Sequence, residues 1–173
     1  MSKVLLISGS PRIGNTVRIL KKIGESLEDS ELILLKDKSI NHCRGCLACH
    51  NRPECVIKDD MKEMCDALIQ SELIVFGIPN YFDNVTGLFK DFTDRLHPLY
   101  KSELLKDKKT IFIYVGGGKE SGTLESLHEA TKGLVKYLQL DVIEEQAFKA
   151  LNPNDDLDEE KITKIIETIK KSI

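Results

Sequence analysis

Four short, continuous apolar runs mark the chain: Val4 to Ile7, Leu32 to Leu35, Leu73 to Ile78 and Ile111 to Val115, with a weaker fifth around Val142 and Ile143. Runs of this length without polar alternation are the pattern of strands buried on both faces. Between them lie stripes of helical period: Val17, Leu20, Ile23 and Leu27, then Met61, Met64, Cys65 and Leu68, then Val85, Leu88, Phe89, Phe92 and Leu96. Leu124, Leu127, Thr131, Leu134 and Leu138 form a fourth, and Ile162, Ile165, Ile166 and Ile169 a fifth. Five repeats of strand then helix predict an α/β fold with a parallel sheet, because parallel strands need long right-handed crossovers that put helices on both faces. The third stripe predicts one helix over 85–99. Asp60 with Glu63, and Asp156 with Glu159, have capping-box spacing at two helix starts.

At 173 residues, with no internal repeat, low-complexity tract or linker, the chain is expected to form one domain over 1–173. Its 28 acidic and 25 basic residues are well mixed and contain no basic block, which argues against a nucleic-acid partner. Val4 to Ile7 is too short an apolar run for a signal peptide, and no eighteen consecutive apolar residues occur. A soluble cytoplasmic protein with no membrane partner is the expectation. In that reducing compartment, clustered cysteines point to metal or redox chemistry rather than to cross-links.

In such a sheet, ligands sit beyond the carboxyl ends of the strands, so the loops there carry the chemistry. The first loop contains Ser8, Gly9, Ser10, Pro11, Arg12, Gly14, Asn15 and Thr16. Its glycines let backbone N–H groups turn towards an anion, its hydroxyls and amide offer neutral hydrogen bonds, and the following helix adds its positive end. Gly9 and Gly14 have the separation of a triphosphate loop, but Asn15 stands where that loop needs lysine. Nor does it read G-x-G-x-x-G, the dinucleotide signature. A single terminal phosphate fits better, with Arg12 as the nearby cation. The second loop puts Tyr81 and Phe82 between Pro79, Asn80 and Asn84. Those rings either pack on a planar ligand with a polar rim or plug the next helix against the sheet. The third, Gly116-Gly117-Gly118, suits close approach to a flat ligand and equally any flexible turn.

One stretch, 37–58, has no periodicity and is long for a compact domain unless it has a function. It holds Cys43, Cys46, Cys49 and Cys55 at the spacing C-x2-C-x2-C-x5-C. Three closely spaced thiolates with a fourth further on suit a four-iron cubane cluster. A zinc site fits less well, since four-thiolate zinc usually takes two separated C-x2-C knuckles, although His42 and His50 keep it open. Disulfides and buried packing cysteines are the remaining readings. Cys65 falls on an apolar helical stripe and reads as core; His97 and His128 read as surface or packing residues.

The motifs G-S-P-R-x-G-N-T at 9–16, the cysteine quartet running into Ile57-Lys58-Asp59-Asp60-Met61, and P-N-Y-F-D-N-V-T-G-L-F-K-D-F-T-D-R at 79–95 resemble the flavodoxin-like NAD(P)H-dependent FMN reductases, and among them the iron-sulfur flavoproteins. The resemblance implies a doubly wound sheet of strand order 2-1-3-4-5. It implies an FMN phosphate site at Ser8, Ser10, Arg12, Asn15 and Thr16, with Pro11 and Gly14 in the same loop. It further implies a flavin-ring site at Pro79, Asn80, Tyr81, Phe82 and Asn84, joined by Gly117 and Gly118, and a 4Fe-4S cluster on Cys43, Cys46, Cys49 and Cys55. The function so implied is an oxidoreductase passing electrons between cluster and FMN in a homodimer or homotetramer, with ferredoxin or NAD(P)H as donor. Its alternatives are a cluster-free NAD(P)H-dependent FMN or quinone reductase and a non-enzymatic electron carrier.

Overall fold

A computed structural model describes residues 3–52, 54–100, 102–153 and 155–173. Five strands, β1 (Val4–Ser8), β2 (Ser30–Leu34), β3 (Leu73–Pro79), β4 (Lys109–Gly116) and β5 (Asp141–Lys149), form one sheet in the order β2-β1-β3-β4-β5. Every pairing is parallel, so the expected flavodoxin-like strand order 2-1-3-4-5 is present. Helices α1 (Asn15–Glu25), α2 (Met61–Gln70), α3 (Gly87–Asp94), α4 (His97–Tyr100), α5 (Glu120–Leu138) and α6 (Glu159–Ser172) supply the outer layers.

The central strands β1 and β3 are buried at every position, and their side chains divide between two apolar layers. On one face Leu5, Ile7, Phe76 and Ile78 pack with Met64 and Leu68 of α2, Phe89 and Phe92 of α3, and Leu127 of α5. On the other Val4, Leu6, Val75 and Ile113 pack with Ile19, Leu20 and Ile23 of α1 and Ile162, Ile165 and Ile169 of α6. No helix among the described residues is long and apolar enough to cross a membrane.

Four local expectations are corrected. The single helix over 85–99 is two, because Pro98 lacks the N–H that would extend α3 and its ring would clash with the preceding turn. At α6 the capping residue is Asp158, which accepts from Lys161 N at 3.0 Å, rather than Asp156. At α2 Asp60 occupies the N-cap position without capping by its side chain; its carboxylate accepts instead from Ser39 N at 2.7 Å. The weak fifth run is a nine-residue strand whose polar centre is paired on both faces. Glu144 meets Lys164 of α6 at 3.2 Å, and Glu145 accepts from the Tyr114 hydroxyl at 2.7 Å and pairs with His128 at 2.8 Å.

Gly77 lets β3 lie close to α1. A Cβ there would stand 2.7 Å from Leu20 Cδ1 and 2.9 Å from Thr16 Cγ2, both in the packed interior. Gly77→Ala is expected to cost about 1–3 kcal/mol through overpacking, read as a lower urea midpoint at unchanged slope.

Candidate functional site

All five strands point their carboxyl ends at one edge, where the loops are cross-tied. The first loop leaves β1 with Ser8, Ser10, Asn15 and Thr16 buried while Pro11 and Arg12 are exposed. The Ser10 hydroxyl donates to Arg12 O at 2.7 Å and sets the turn. Gly14 is the N-cap of α1, whose first turn has no acidic residue and no side-chain cap. Gly9 lies under Phe89 of α3, where a Cβ would meet the ring at 2.8 Å. Thr86, the N-cap of α3, accepts from Phe89 N and donates its hydroxyl to Gly9 O at 2.8 Å, so the first and second loops share one anchor.

The second loop is a two-residue turn. Tyr81 and Asn84 exchange backbone hydrogen bonds at 2.9 and 3.1 Å, with Phe82 at φ 52° and Asp83 at φ 54° between them. Two consecutive positive φ values define a turn that Asn-Gly would occupy without strain. Here a fully exposed phenyl ring occupies its tip. Asn80 N donates to Val115 O at 2.8 Å, tying this loop to the end of β4, and the buried Asn80 Oδ1 has no partner among the described residues. Asn80, Phe82, Asp83, Gly117, Gly118 and Thr123 line an open cavity of about 290 Å³.

A segment without a sequence motif completes this edge. After β5 the chain crosses the first loop: Arg12 Nη2 donates to Leu151 O at 3.3 Å, Asn15 Nδ2 to Asn152 O at 2.7 Å, and Arg18 Nη1 to the carbonyls of Pro153 and Asp155 at 2.7 and 3.0 Å. Leu151 also covers Gly117, whose added Cβ would stand 2.8 Å from its Cδ1.

The cysteine stretch follows a short 3-10 turn at Leu35–Asp37 and is zipped shut at its neck. Asp60 N donates to Ser39 O at 3.0 Å and Asn41 N to Asp59 Oδ2 at 2.9 Å, so residues 42–58 form a closed loop. Within it Gly45 and Leu47 take positive φ between successive cysteines, and Ala48–His50 form a 3-10 turn. The described cysteines are all free thiols, with Cys43 and Cys46 exposed and Cys49 and Cys55 half-buried. Burial first, and then the facing thiols Cys55, Cys43 and Cys46, push the Cys49 thiol up from its ordinary pKa. The donor set therefore has the chemistry of a cubane site, carried on an open loop: among the described residues no three His, Cys, Asp or Glu side chains converge on one point. Cys65 is half-buried against the core, and burial, followed by Asp66, pushes its thiol up to about 11.

Below the neck sits Arg95, the C-cap of α3, with 1% of its side chain exposed. Its Nη1 and Nη2 hold the two Asp59 oxygens at 2.6 and 2.9 Å, and Nη1 also donates to Asn41 O at 2.7 Å. Burial alone would raise the Asp59 pKa, yet the bonds from Arg95, Asn41 and Met61 N hold it well below the usual carboxylate range. Further contacts fix the loop to the same helices: His42 pairs with Asp91 of α3 at 2.6 Å, Cys49 Sγ lies 3.4 Å from His97 Nδ1, and His50 stacks on His97. His97 is thus exposed, as expected, but it also touches a candidate ligand.

The strain at Phe82 and Asp83 yields a direct test. Converting the turn to Phe82→Asn with Asp83→Gly is expected to stabilise the cofactor-free protein by about 1–2 kcal/mol, seen as a higher melting temperature.

The sequence profile described as NADPH-dependent FMN reductase matches residues 2–154. An iron-sulfur flavoprotein of Archaeoglobus fulgidus is 40% identical over 97 residues, covering 54% of this chain and 48% of that protein. An iron-sulfur flavoprotein of Methanocaldococcus jannaschii is 34% identical over 134 residues, 73% of this chain and 69% of the relative. The match thus spans about half the length of the first relative and about two thirds of the second. Among solved structures, a flavone reductase superposes with a TM-score of 0.74 at 21% identity, over 98% of this chain and 61% of the other, a likeness of fold. The chain belongs to the NADPH-dependent FMN reductase family, in its iron-sulfur flavoprotein branch.

Proposed function

We propose that the chain is a single FMN-binding domain that acts as a flavin-dependent oxidoreductase, exchanging electrons between FMN and a four-iron cluster. The observation that carries this reading is positional. The loop bearing four free thiols is docked on α3 and α4, and α3 begins directly after the strained Tyr81–Asn84 turn that borders the candidate ring site. Ser8, Ser10, Asn15 and Thr16 offer buried polar groups for the FMN phosphate, with the uncapped start of α1 and exposed Arg12 as the positive groups. The unpartnered Asn80 Oδ1 and the open backbone at Gly118, with Gly117 beside it under Leu151, suit the polar rim of the flavin, with Tyr81 or Phe82 against its plane. Pro79 and Asn84 hold the ends of that loop.

Cys43, Cys46, Cys49 and Cys55 are the proposed cluster ligands, with the zipped neck keeping them beside α3. Once bound, FMN supplies a two-electron store that also trades single electrons, and the cluster supplies one-electron steps. The protein's share is to hold both at fixed separation and to exclude water beneath the ring. A ferredoxin-like carrier or NAD(P)H is the proposed donor. A homodimer or homotetramer is the proposed assembly, for which exposed Tyr100 and Tyr137, beside an apolar groove of about 530 Å³ along α3, α4 and α5, offer a surface.

Anaerobic reconstitution with iron and sulfide, followed by iron, sulfide and flavin analysis and paramagnetic resonance on reduction, tests the reading. Cys46→Ala is expected to abolish cluster assembly and leave FMN bound, whereas Cys65→Ala spares the cluster. Iron-free yellow protein that turns over with NAD(P)H would favour the cluster-free reductase instead.

A separate titration addresses the phosphate site. Thr16→Val removes a hydroxyl at almost constant volume and is expected to weaken FMN binding roughly ten- to a hundredfold, equivalent to about 1.5–3 kcal/mol for a hydrogen bond to a charged group. Unchanged affinity would remove Thr16 from the site.

A further inference from the structure

Of the four thiols in the closed loop, Cys49 alone, among the described residues, is in hydrogen-bond contact with a side chain outside it: its Sγ lies 3.4 Å from Nδ1 of His97. His97 opens α4, and its neighbours Leu96 and Pro98 are buried, so its backbone is set by the core while its ring reaches the loop. That ring meets the loop twice. One nitrogen touches Cys49, and the His50 ring stacks on its face at a centroid separation of 4.9 Å and an interplanar angle of 19°. Tyr100, further along α4, packs against it at 5.9 Å and a steep 67°. Cys49 and His50 belong to one 3-10 turn, entered through Leu47 at φ 58°. Two neighbouring residues of a single tight turn therefore rest on one imidazole, which fixes the turn's rotation as well as its position. Cys43 and Cys46, by contrast, stand exposed.

We propose that His97 is a positioning residue for Cys49: it anchors this thiol as the fixed point of the loop before metal arrives, and it donates from Nδ1 to the sulfur once Cys49 is a cluster ligand, raising the cluster's reduction potential. The second half rests on the cluster reading above; the first does not. A free thiol can give or take the hydrogen bond, so the metal-free contact suits either tautomer of the imidazole. A ligated thiolate has no proton and only accepts, which puts the N–H on Nδ1. A side chain that bonds a metal ligand from outside sets that ligand's orientation. Hydrogen bonds to cluster sulfurs also stabilise the more negative, reduced state and so tune the potential. Among the described residues the thiols do not converge on one point, so cluster assembly requires the loop to close. The contact assigns which thiol stays: Cys49 is held, and the exposed Cys43 and Cys46 move to it.

Two measurements test the two halves separately. In metal-free protein, the ring nitrogens of His97 are followed by ¹⁵N NMR. Cys49→Ala is expected to shift the Nδ1 resonance, and Cys43→Ala to leave it in place. An Nδ1 signal unaffected by Cys49→Ala overturns the inference whether or not a cluster ever forms. In protein reconstituted with iron and sulfide, the reduction potentials of two variants are compared. His97→Phe keeps a ring for His50 to stack on and loses the nitrogen, whereas His97→Asn loses the ring and keeps an N–H donor at the same number of bonds from Cα. Both change an exposed side chain and leave the buried Pro98 and Leu99 of α4 in place. The Phe variant is expected to show a threefold shift of the one-electron equilibrium towards the oxidised cluster, a potential lower by about 28 mV, and the Asn variant to stay near wild type. An unchanged potential in the Phe variant overturns the tuning role, and so does an equal drop in both variants, which would assign the effect to the stacked ring. Should wild-type protein take up no iron and sulfide, the cluster reading and the tuning role fall together, and the NMR result alone rules on positioning.

Discussion

The buried pair of Asp59 and Arg95 is the constraint on which the carboxyl edge depends. Both side chains are 1% exposed, and removing two charges from water carries a penalty that only close geometry and extra hydrogen bonds offset. The geometry is close: a bidentate fork, with Asn41 N and Met61 N also donating to the carboxylate. Such a pair is weak evidence for net stability, since apolar residues of similar volume often do as well. What it provides is register. Asp59 lies just before α2, Asn41 begins the cysteine loop and Arg95 ends α3, so one guanidinium fixes three segments that no sheet hydrogen bond joins. Without it, the neck would keep only its Ser39–Asp60 and Asn41–Asp59 bonds, and the loop would meet α3 and α4 only through the exposed contacts of His42, Cys49 and His50.

The other loops are held by the same device on a smaller scale, in which a side chain from one strand end satisfies the backbone of another. Thr86 bonds Gly9 O, Asn15 bonds Asn152 O and Arg12 bonds Leu151 O. Carbonyls left over at turns have no ladder partner, and an unpaired buried backbone group costs about as much as a lost hydrogen bond. Satisfying them across loops makes the edge a single surface rather than five independent tips. The glycines extend this by allowing contact: Phe89 sits on Gly9 and Leu151 on Gly117 at distances a Cβ would forbid.

Much of the sheet was legible because buried parallel strands leave apolar runs that helices do not imitate. The edge strand β5 was faint for the converse reason. Its Glu144 and Glu145 find partners on α6, α5 and β4 that no local pattern announces, and Gln146 donates to Glu144. The break after α3 was readable in principle, since Pro98 lies within 85–99, but the stripe's continuity from Val85 to Leu96 obscured it. Within the site, residue types and spacing pointed to the thiols, the hydroxyls and the two aromatics. They did not show that Asp59 and Arg95 meet, though both lay inside quoted motifs. An arginine beside Phe92 and Leu96 on an apolar stripe was the available sign, because a charge is rarely buried without a partner.

The electrostatics of the phosphate loop follow from which acceptors its cations find. Arg12 and Arg18 bond carbonyl oxygens and the Asn15 amide, and among the described residues neither forms an ion pair with a carboxylate. The nearby acid, Asp155, is turned to the backbone: its oxygens accept from Leu151 N and Asn152 N, and these bonds, aided by Arg18, lower its pKa. Carbonyl partners orient a guanidinium without cancelling its charge, whereas a carboxylate would. Two positive side chains and the positive end of α1 therefore lie at one turn, with Arg12 held by a carbonyl alone and Arg18 sharing its field with Asp155. In a chain of net charge −3, that local excess of positive potential comes from the arrangement of partners and not from composition.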